Sequence, residues 1–479
     1  FIKKCISLGG GWDIRKPPRI FAQLRRRLIM GNFKMTTVEE MEAATNRLLE
    51  TGAKVGADAW QFRVKNQTPH CKFGEQGVCC RICSMGPCRI TPKAPRGICG
   101  CDVHGIVGRN YLKFTAGGAA THSDHGREIC NTLGHAAPDG AYKVKDPAKL
   151  IRIAKEWGVE TEGRDIYDLA HEMSELALSE YGKNHGVSRW LKRAPQHTQD
   201  LWHNAGIEPR AIDREVSCAL HMTHMGCSSK PEALIRQSLR NGLSDGWGGS
   251  MCGTEFSDVL FGTPKPIDTE ANLGVMVAEN VNIVVHGHDP SLSEMICEVA
   301  DDPEMIAYAK EMGAKGITIS GVCCTSNEVA MRRGIPMAGN FLQQENVVLT
   351  GACEAIVVDV QCIFPALGPL SKCFHTKFIT TSPIAQMPDS DYIEFSAGTA
   401  LEKAKEIVKT AIENFKNRKP DLVYIPDMKQ KATVGYSVEA IVKTLDGVTN
   451  SQVDKTGTTK PLVDCITSGV IRGAVAMVG

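Results

Sequence analysis

Six cysteines fall within one short stretch, Cys71, Cys79, Cys80, Cys83, Cys88 and Cys99 in CKFGEQGVCCRICSMGPCRITPKAPRGIC. Thiolates at this density constrain a fold more than any hydrophobic pattern does, because the backbone must wrap whatever they bind. From Cys80 onward the spacing is C-x2-C-x4-C-x10-C, on a segment whose Gly86, Pro87, Pro92, Pro95 and Gly97 favour loops over helix. That is an iron–sulfur type of arrangement. Cys71 and Cys79 are left over and cannot complete a four-thiolate site alone, but two copies related by a twofold axis supply four between them, which predicts a homodimer with a shared cluster. An all-cysteine zinc site also uses C-x2-C pairs and stays open as an alternative. A disulfide framework fits worse: the chain has nineteen cysteines, an odd number, and no apolar secretory leader.

At 479 residues, two or three domains with sizeable cores are expected, and no apolar run is long enough to span a bilayer. The net charge of +1 conceals a basic leader. Residues 1–34 hold Lys3, Lys4, Arg15, Lys16, Arg19, Arg25, Arg26, Arg27 and Lys34 against Asp13 alone, so the rest of the chain stands at −7. A mildly acidic body argues against nucleic acid as a partner. The leader is expected to lie outside the working fold, with Met35 as the start and Thr36 and Thr37 capping a helix that has Glu39 and Glu40 in its first turn.

Two styles of pattern follow. EEMEAATNRLLETGAKVG, AKLIRIAKEWGV, IYDLAHEMSELALSEYGKNHG and EALIRQSLRNG place apolar residues at three- and four-residue steps. They predict a helical, cluster-binding domain over 35–265. After the glycine-rich DGWGGSMCGTEFSDVLFGTPKP, short β-rich runs (VNIVVHG, GITISGV, AIVVDVQ, FITTS, LVYIP, GAVAMVG) alternate with helices such as ALEKAKEIVKTAIENFKNRK. This predicts a doubly wound, parallel, Rossmann-like α/β domain over 266–479 and an α+β multidomain chain overall.

Three of the predicted strands end in candidate ligands: His286 and His288 after VNIVV, Cys323 and Cys324 after GITISGV, and Cys362 after AIVVDVQ. Open α/β sheets bind ligands at the carboxyl ends of their strands, and a mixture of imidazole and thiolate suits a soft or borderline metal. His122 and His125 in AATHSDHGREI, three apart, share a helix face and could relay protons. His221 and His224 have the same spacing and no evident role.

These residues resemble a known family, the anaerobic nickel–iron–sulfur carbon monoxide dehydrogenases. The resemblance rests on CKFGEQGVCCRICSMGPCRI with RGICG, AATHSDHG, EFSDVLFGTPKPIDTEANLGV, HGHDPSLSE, GVCCTSNEVAMRRGIPM and VDVQC, and extends from about Met35 to Gly479. It implies oxidation of CO with water to CO2, two protons and two electrons, a ferredoxin-like acceptor, a homodimer, a cytoplasmic location and, in some members, an acetyl-CoA synthase partner. It implies that Cys80, Cys83, Cys88 and Cys99 hold one [4Fe-4S] cluster per subunit and that Cys71 and Cys79 hold half of a cluster shared across the dimer. It further implies that His288 and Cys324 bind the iron outside the cubane of a Ni-Fe-S cluster, that Cys362 binds a cubane iron, and that His122 is the active-site acid–base, with His125 in a proton relay.

Departures from the family pattern accompany the resemblance. The family continues past Gly479 with a cluster cysteine, and its other cluster ligands and a third α/β domain are implied beyond it; the expectation is therefore a fragment unable to assemble the nickel site alone. Where members continue the histidine series, this chain has Glu128 and Asn131, and Cys101 in GICGCD is an extra thiol without a counterpart. The alternatives are a hybrid-cluster protein resembling hydroxylamine reductases, a zinc-stabilised binding module, and an electron-transfer protein that has lost catalysis.

Overall fold

The computed structural model describes residues 38–449 and 459–475. The basic leader, the Met35 start with its Thr36 and Thr37 cap, and most of the expected closing strand GAVAMVG lie outside them.

The first half is helical. Its spine is a 32-residue helix, Val103–Gly134, whose first turn is capped by the Asp102 carboxylate accepting from Gly105 N (2.9 Å). Pro147–Glu156, Ile166–Tyr181, Ile212–Met222, Pro231–Leu243 and Met251–Phe261 surround it. The expected amphipathic segments are helices, and Asp146 and Asp165 cap two of them. Ahead of the spine, two short strands, β1 (Cys79–Cys80) and β2 (Cys88–Arg89), form an antiparallel pair.

The second half is an eight-stranded sheet of β3 (Ile267–Ala271), β4 (Val281–Gly287), β5 (Ile317–Val322), β6 (Met337–Gly339), β7 (Ala355–Val358), β8 (Lys377–Thr380), β9 (Asp391–Tyr392) and β10 (Gln430–Val434). Its order is β10-β3-β6-β5-β4-β7-β8-β9, parallel throughout except for the edge strand β10. From β4 the chain winds outward through β5 and β6, then returns to β7 and winds the other way through β8 and β9. The direction reverses between β4 and β7, which makes their carboxyl ends the topological switch point.

Alternation along the strands separates two cores. Val281, Ile283 and Val285 of β4 with Ala355 and Val357 of β7 join the helices Pro290–Ala300 and Ala400–Asn414 and the helical half in one cluster. Val284, Ile356 and Val358 face the other way, onto Val347, Val348, Leu349 and Leu48. β4 is buried along its whole length, as a central parallel strand covered on both faces must be. Leu48 belongs to the amino-terminal helix Val38–Lys54, so that helix packs against the sheet rather than the spine. Trp60 N donates to Glu345 Oε2 (2.6 Å), and Arg63 pairs with the same buried carboxylate.

One strand expectation fails. In LVYIP a short turn, Pro420–Leu422, gives way to extended chain with no ladder partner; Tyr424 N donates to Thr350 O (2.8 Å) and little else is bonded. Its residues are apolar because Leu422, Val423, Tyr424 and Ile425 pack on the second core, not because they pair.

Candidate functional site

The two-residue hairpin sorts the adjacent cysteines. Cys80 lies directly opposite Cys88 in the register while Cys79 lies opposite Arg89, and successive side chains on a strand point to opposite faces. Cys79 and Cys80 therefore point to opposite faces of the hairpin. Asn110 of the spine helix anchors the hairpin by donating to Gly77 O (2.9 Å) and Cys79 O (3.0 Å).

On the Cys80 face, Cys80, Cys83, Cys88 and Cys99 line one small pocket, whose cavity volume is about 10 Å³. Among the described residues no three or more His, Cys, Asp or Glu side chains are placed to hold a single ion. Ile98 N approaches Cys88 Sγ at 3.5 Å, a donor of the kind that stabilises a metal-bound thiolate. A side chain at Gly86 would put its Cβ 3.1 Å from Cys80 O, so glycine lets the loop close over the pocket.

The same pocket is lined by Arg109, 3 % exposed, whose Nε donates to Ser228 O (2.8 Å). No carboxylate pairs with it among the described residues. A buried cation requires a counter-charge, and a thiolate-bound cluster supplies a negative one. Cys101, 6 % exposed, is a fifth thiol in this lining. Cys71 is exposed, and the N–H groups of Gly74 and Phe73 pull its thiol below the ordinary cysteine range.

The second group forms at the switch point. Gly287 ends β4 at φ +123°, and a Cβ there would lie 1.9 Å from Asp359 Oδ1. The space a side chain would take is occupied by the Asp359 carboxylate, which accepts from His288 N (2.6 Å), Asp289 N (3.1 Å) and its neighbour Val360 N. Burial raises the Asp359 carboxyl to about 7. This clamp ties the ends of β4 and β7 together. His288 Nδ1 lies 3.3 Å from Val360 O; donation there leaves the Nε2 lone pair available to a ligand.

Cys323, Gln361 and Cys362 are non-glycine residues at φ +69°, +68° and +61°. Left-handed conformations on such residues persist only where the surroundings enforce them, and they concentrate at functional sites. Gln344 enforces part of this one: its Nε2 donates to Cys362 O (2.9 Å), and its Oε1 accepts from Phe364 N (2.7 Å) and lies 3.1 Å from His286 Nε2. The three thiols interact. Hydrogen bonding to Cys323 lowers the Cys324 thiol and raises the Cys362 thiol, while Cys323 itself is raised to about 11, chiefly by Cys324.

The spine helix crosses over this group. Gln361 Nε2 donates to Thr121 O (2.8 Å), and the His125 ring meets the His288 ring edge-on at 6.3 Å between centroids. His122 Nδ1 is 2.5 Å from Asp245 Oδ1, and that hydrogen bond raises the imidazole's proton affinity against the opposing effect of burial. His125 is lowered to about 3 by burial and by its neighbours His288 and His122, so it is a neutral imidazole at ordinary pH. Glu128, one step further along, is raised by burial and by Asp124. A Cβ on Gly249 would stand 3.0 Å from His122, and one on Gly253 3.0 Å from His125. The glycine-rich passage, partly a π-helical turn at Ser244–Ser250, thus lets the histidine face approach closely.

The structure therefore brings His122, His125, His288, Cys324 and Cys362 together, and Cys80, Cys83, Cys88 and Cys99 around a separate pocket. His221 and His224 are exposed and belong to neither group. Sequence reasoning missed Asp245, Asp359, Gln344 and Arg109. Only Asp359 carried a signal, its position at the end of a predicted strand.

A model of the Prismane/CO dehydrogenase family matches residues 78–479. The chain is 46% identical over 452 residues to carbon monoxide dehydrogenase 1 of Methanosarcina mazei, covering 93% of this chain and 70% of that protein. Among solved structures it is similar to the as-isolated, nickel-free carbon monoxide dehydrogenase of Thermococcus sp. AM4, with TM-score 0.85, 46% identity and coverage of 89% and 67% of the two chains. A third similar protein is the acetyl-CoA synthase/carbon monoxide dehydrogenase whose structure contains NiZn[Fe4S4] and NiNi[Fe4S4] clusters, with TM-score 0.85, 38% identity and coverage of 91% and 65%. With a family model spanning most of its length and relatives this similar, the chain belongs to the Prismane/CO dehydrogenase family, among the carbon monoxide dehydrogenases.

Proposed function

We propose that this chain takes part in the oxidation of carbon monoxide with water to CO2, two protons and two electrons. The observation that carries the reading is the convergence of His288, Cys324 and Cys362 at the switch point beneath His122 and its Asp245 partner. His288 through Nε2, with Cys324 and Cys362 as thiolates, would hold part of a nickel–iron–sulfur cluster. Such a cluster, when bound, supplies Lewis acidity toward CO and water and stores the two electrons. His122 stands where it can accept a proton at Nε2 and pass it outward, because Asp245 holds the opposite nitrogen and stabilises the imidazolium. His125, neutral and buried against His288, would orient rather than ionise.

Cys80, Cys83, Cys88 and Cys99 would hold a [4Fe-4S] cluster that receives the electrons. Cys79, set apart from it by the strand alternation, and the exposed Cys71 would hold half of a second cluster completed by another copy of the chain. A ferredoxin-like acceptor then takes the electrons, in the cytoplasm. An acetyl-CoA synthase subunit is a further proposed partner, supported by the bifunctional assembly to which one structural neighbour belongs. Among the described residues no helix is long and apolar enough to cross a membrane.

CO-dependent reduction of a viologen dye by the anaerobically purified full-length gene product tests the reading. A turnover that His122→Gln lowers by about 100-fold, within the usual contribution of a positioned acid–base group, is the expected result. Turnover unchanged by that substitution would remove His122 from its role, and iron-loaded, nickel-loaded protein inert to CO would overturn the function.

A further inference from the structure

The pocket lined by Cys80, Cys83, Cys88 and Cys99 contains more thiols than a four-iron cluster needs. Cys101 lines it too and is 6 % exposed, whereas Cys99 lies in the exposed part of the loop. The two are held on one tight turn. Arg96 and Asp102 form a bridge across its base, Gly97 N donates to Cys101 O (2.8 Å), Gly100 N donates to Gly97 O (2.8 Å), and Gly100 sits at φ +87° between the two thiols. The spine helix makes room for the second sulfur: a Cβ on Gly105 would stand 2.6 Å from Cys101 Sγ. That sulfur has no strong partner, its contact being a long 3.7 Å approach to Asp102 O.

We propose that Cys101 is an alternate ligand of this pocket, able to take the fourth position when Cys99 is lost or chemically blocked. The exchange is redox-neutral. The Cys101 thiol releases its proton as its sulfur binds iron, and a blocked Cys99 sulfur leaves the iron carrying the group that blocked it. Cys99, the solvent-facing ligand, is the one an oxidant or alkylating agent reaches first, and Cys101 sits behind it on the same turn. The inference rests on the reading of the pocket as an iron–sulfur site.

The test compares iron and acid-labile sulfide per chain, and the electron paramagnetic resonance of the reduced protein, in wild type, Cys99→Ala, Cys101→Ala, the double variant and Cys80→Ala, all purified without oxygen. Both single variants at positions 99 and 101 are expected to keep the wild-type iron content, with an altered resonance in Cys99→Ala, while the double variant and Cys80→Ala lose about four irons per chain. Loss of those irons in Cys99→Ala alone, with far-ultraviolet circular dichroism unchanged, would overturn the proposal. Wild-type protein without iron would instead overturn the iron–sulfur reading itself, and this inference with it.

Discussion

Gly287 shows how one residue type can set a site. No side chain fits there, because φ is +123° and the Asp359 carboxylate occupies the Cβ position. Gly287→Ala is expected to cost about 3 kcal/mol from backbone strain and overpacking together, read as a lowered urea midpoint; an unchanged midpoint would mean the clamp between β4 and β7 is looser than drawn. His122 makes a subtler case. Its proton affinity is raised in the fold by Asp245, so the pair contributes stability that is full below the unfolded histidine value of about 6.5 and is lost as pH rises through the higher folded value. Asp245→Asn should move the His122 titration to lower pH in an NMR experiment; a titration that stays in place would show that the carboxylate does not govern it. Arg109 is the buried cation of the cysteine pocket. Arg109→Met should make the midpoint potential of the cluster more negative, because a nearby positive charge favours the reduced, more anionic state.

Elements differ in how far sequence foretold them. The helices with clear three- and four-residue periodicity, such as Ile166–Tyr181 and Ala400–Asn414, are where the pattern puts them, and β4, β5, β7 and β8 follow their β-branched runs. LVYIP misled because an apolar run states that residues are buried, not that their backbone pairs; here Thr350 O takes one N–H and the side chains fill a core. That Cys80, Cys83, Cys88 and Cys99 come together was legible because their chemistry is in the residue type and their spacing is local. Gln344 was not, being an ordinary glutamine whose role comes from a loop eighteen residues away that bends back onto it. Asp245 was hidden for a similar reason, since a π-helical turn in a glycine-rich passage has no reliable periodicity. Gln344→Leu would leave the Cys362 carbonyl and the Phe364 amide without their partners. A loss of roughly 3 kcal/mol in stability, from buried groups costing about 1–3 kcal/mol each, is expected by chemical denaturation, and less than half of that would show that water replaces the amide.

At the scale of the whole molecule, one long helix joins two metal-type sites. Its first turns carry Asn110, which holds the cysteine hairpin, and its middle carries His122 and His125 over the switch point of the sheet. The helical half and one face of the sheet share an apolar core, while the pocket end of the spine helix packs through Leu112 and Ala116 in a separate small cluster with Ala219 and Leu234, so the helix itself is what connects the two sites. That arrangement suits a chain in which protons leave along the helix face and electrons leave through the cysteine pocket. The most direct measurement is the iron and zinc content of the protein purified without oxygen. At least six irons per chain, four from a complete cluster and two from half of a shared one before any in the nickel–iron–sulfur site, with a brown colour bleached by dithionite, is the expected result; stoichiometric zinc with no iron would contradict the redox reading of both sites.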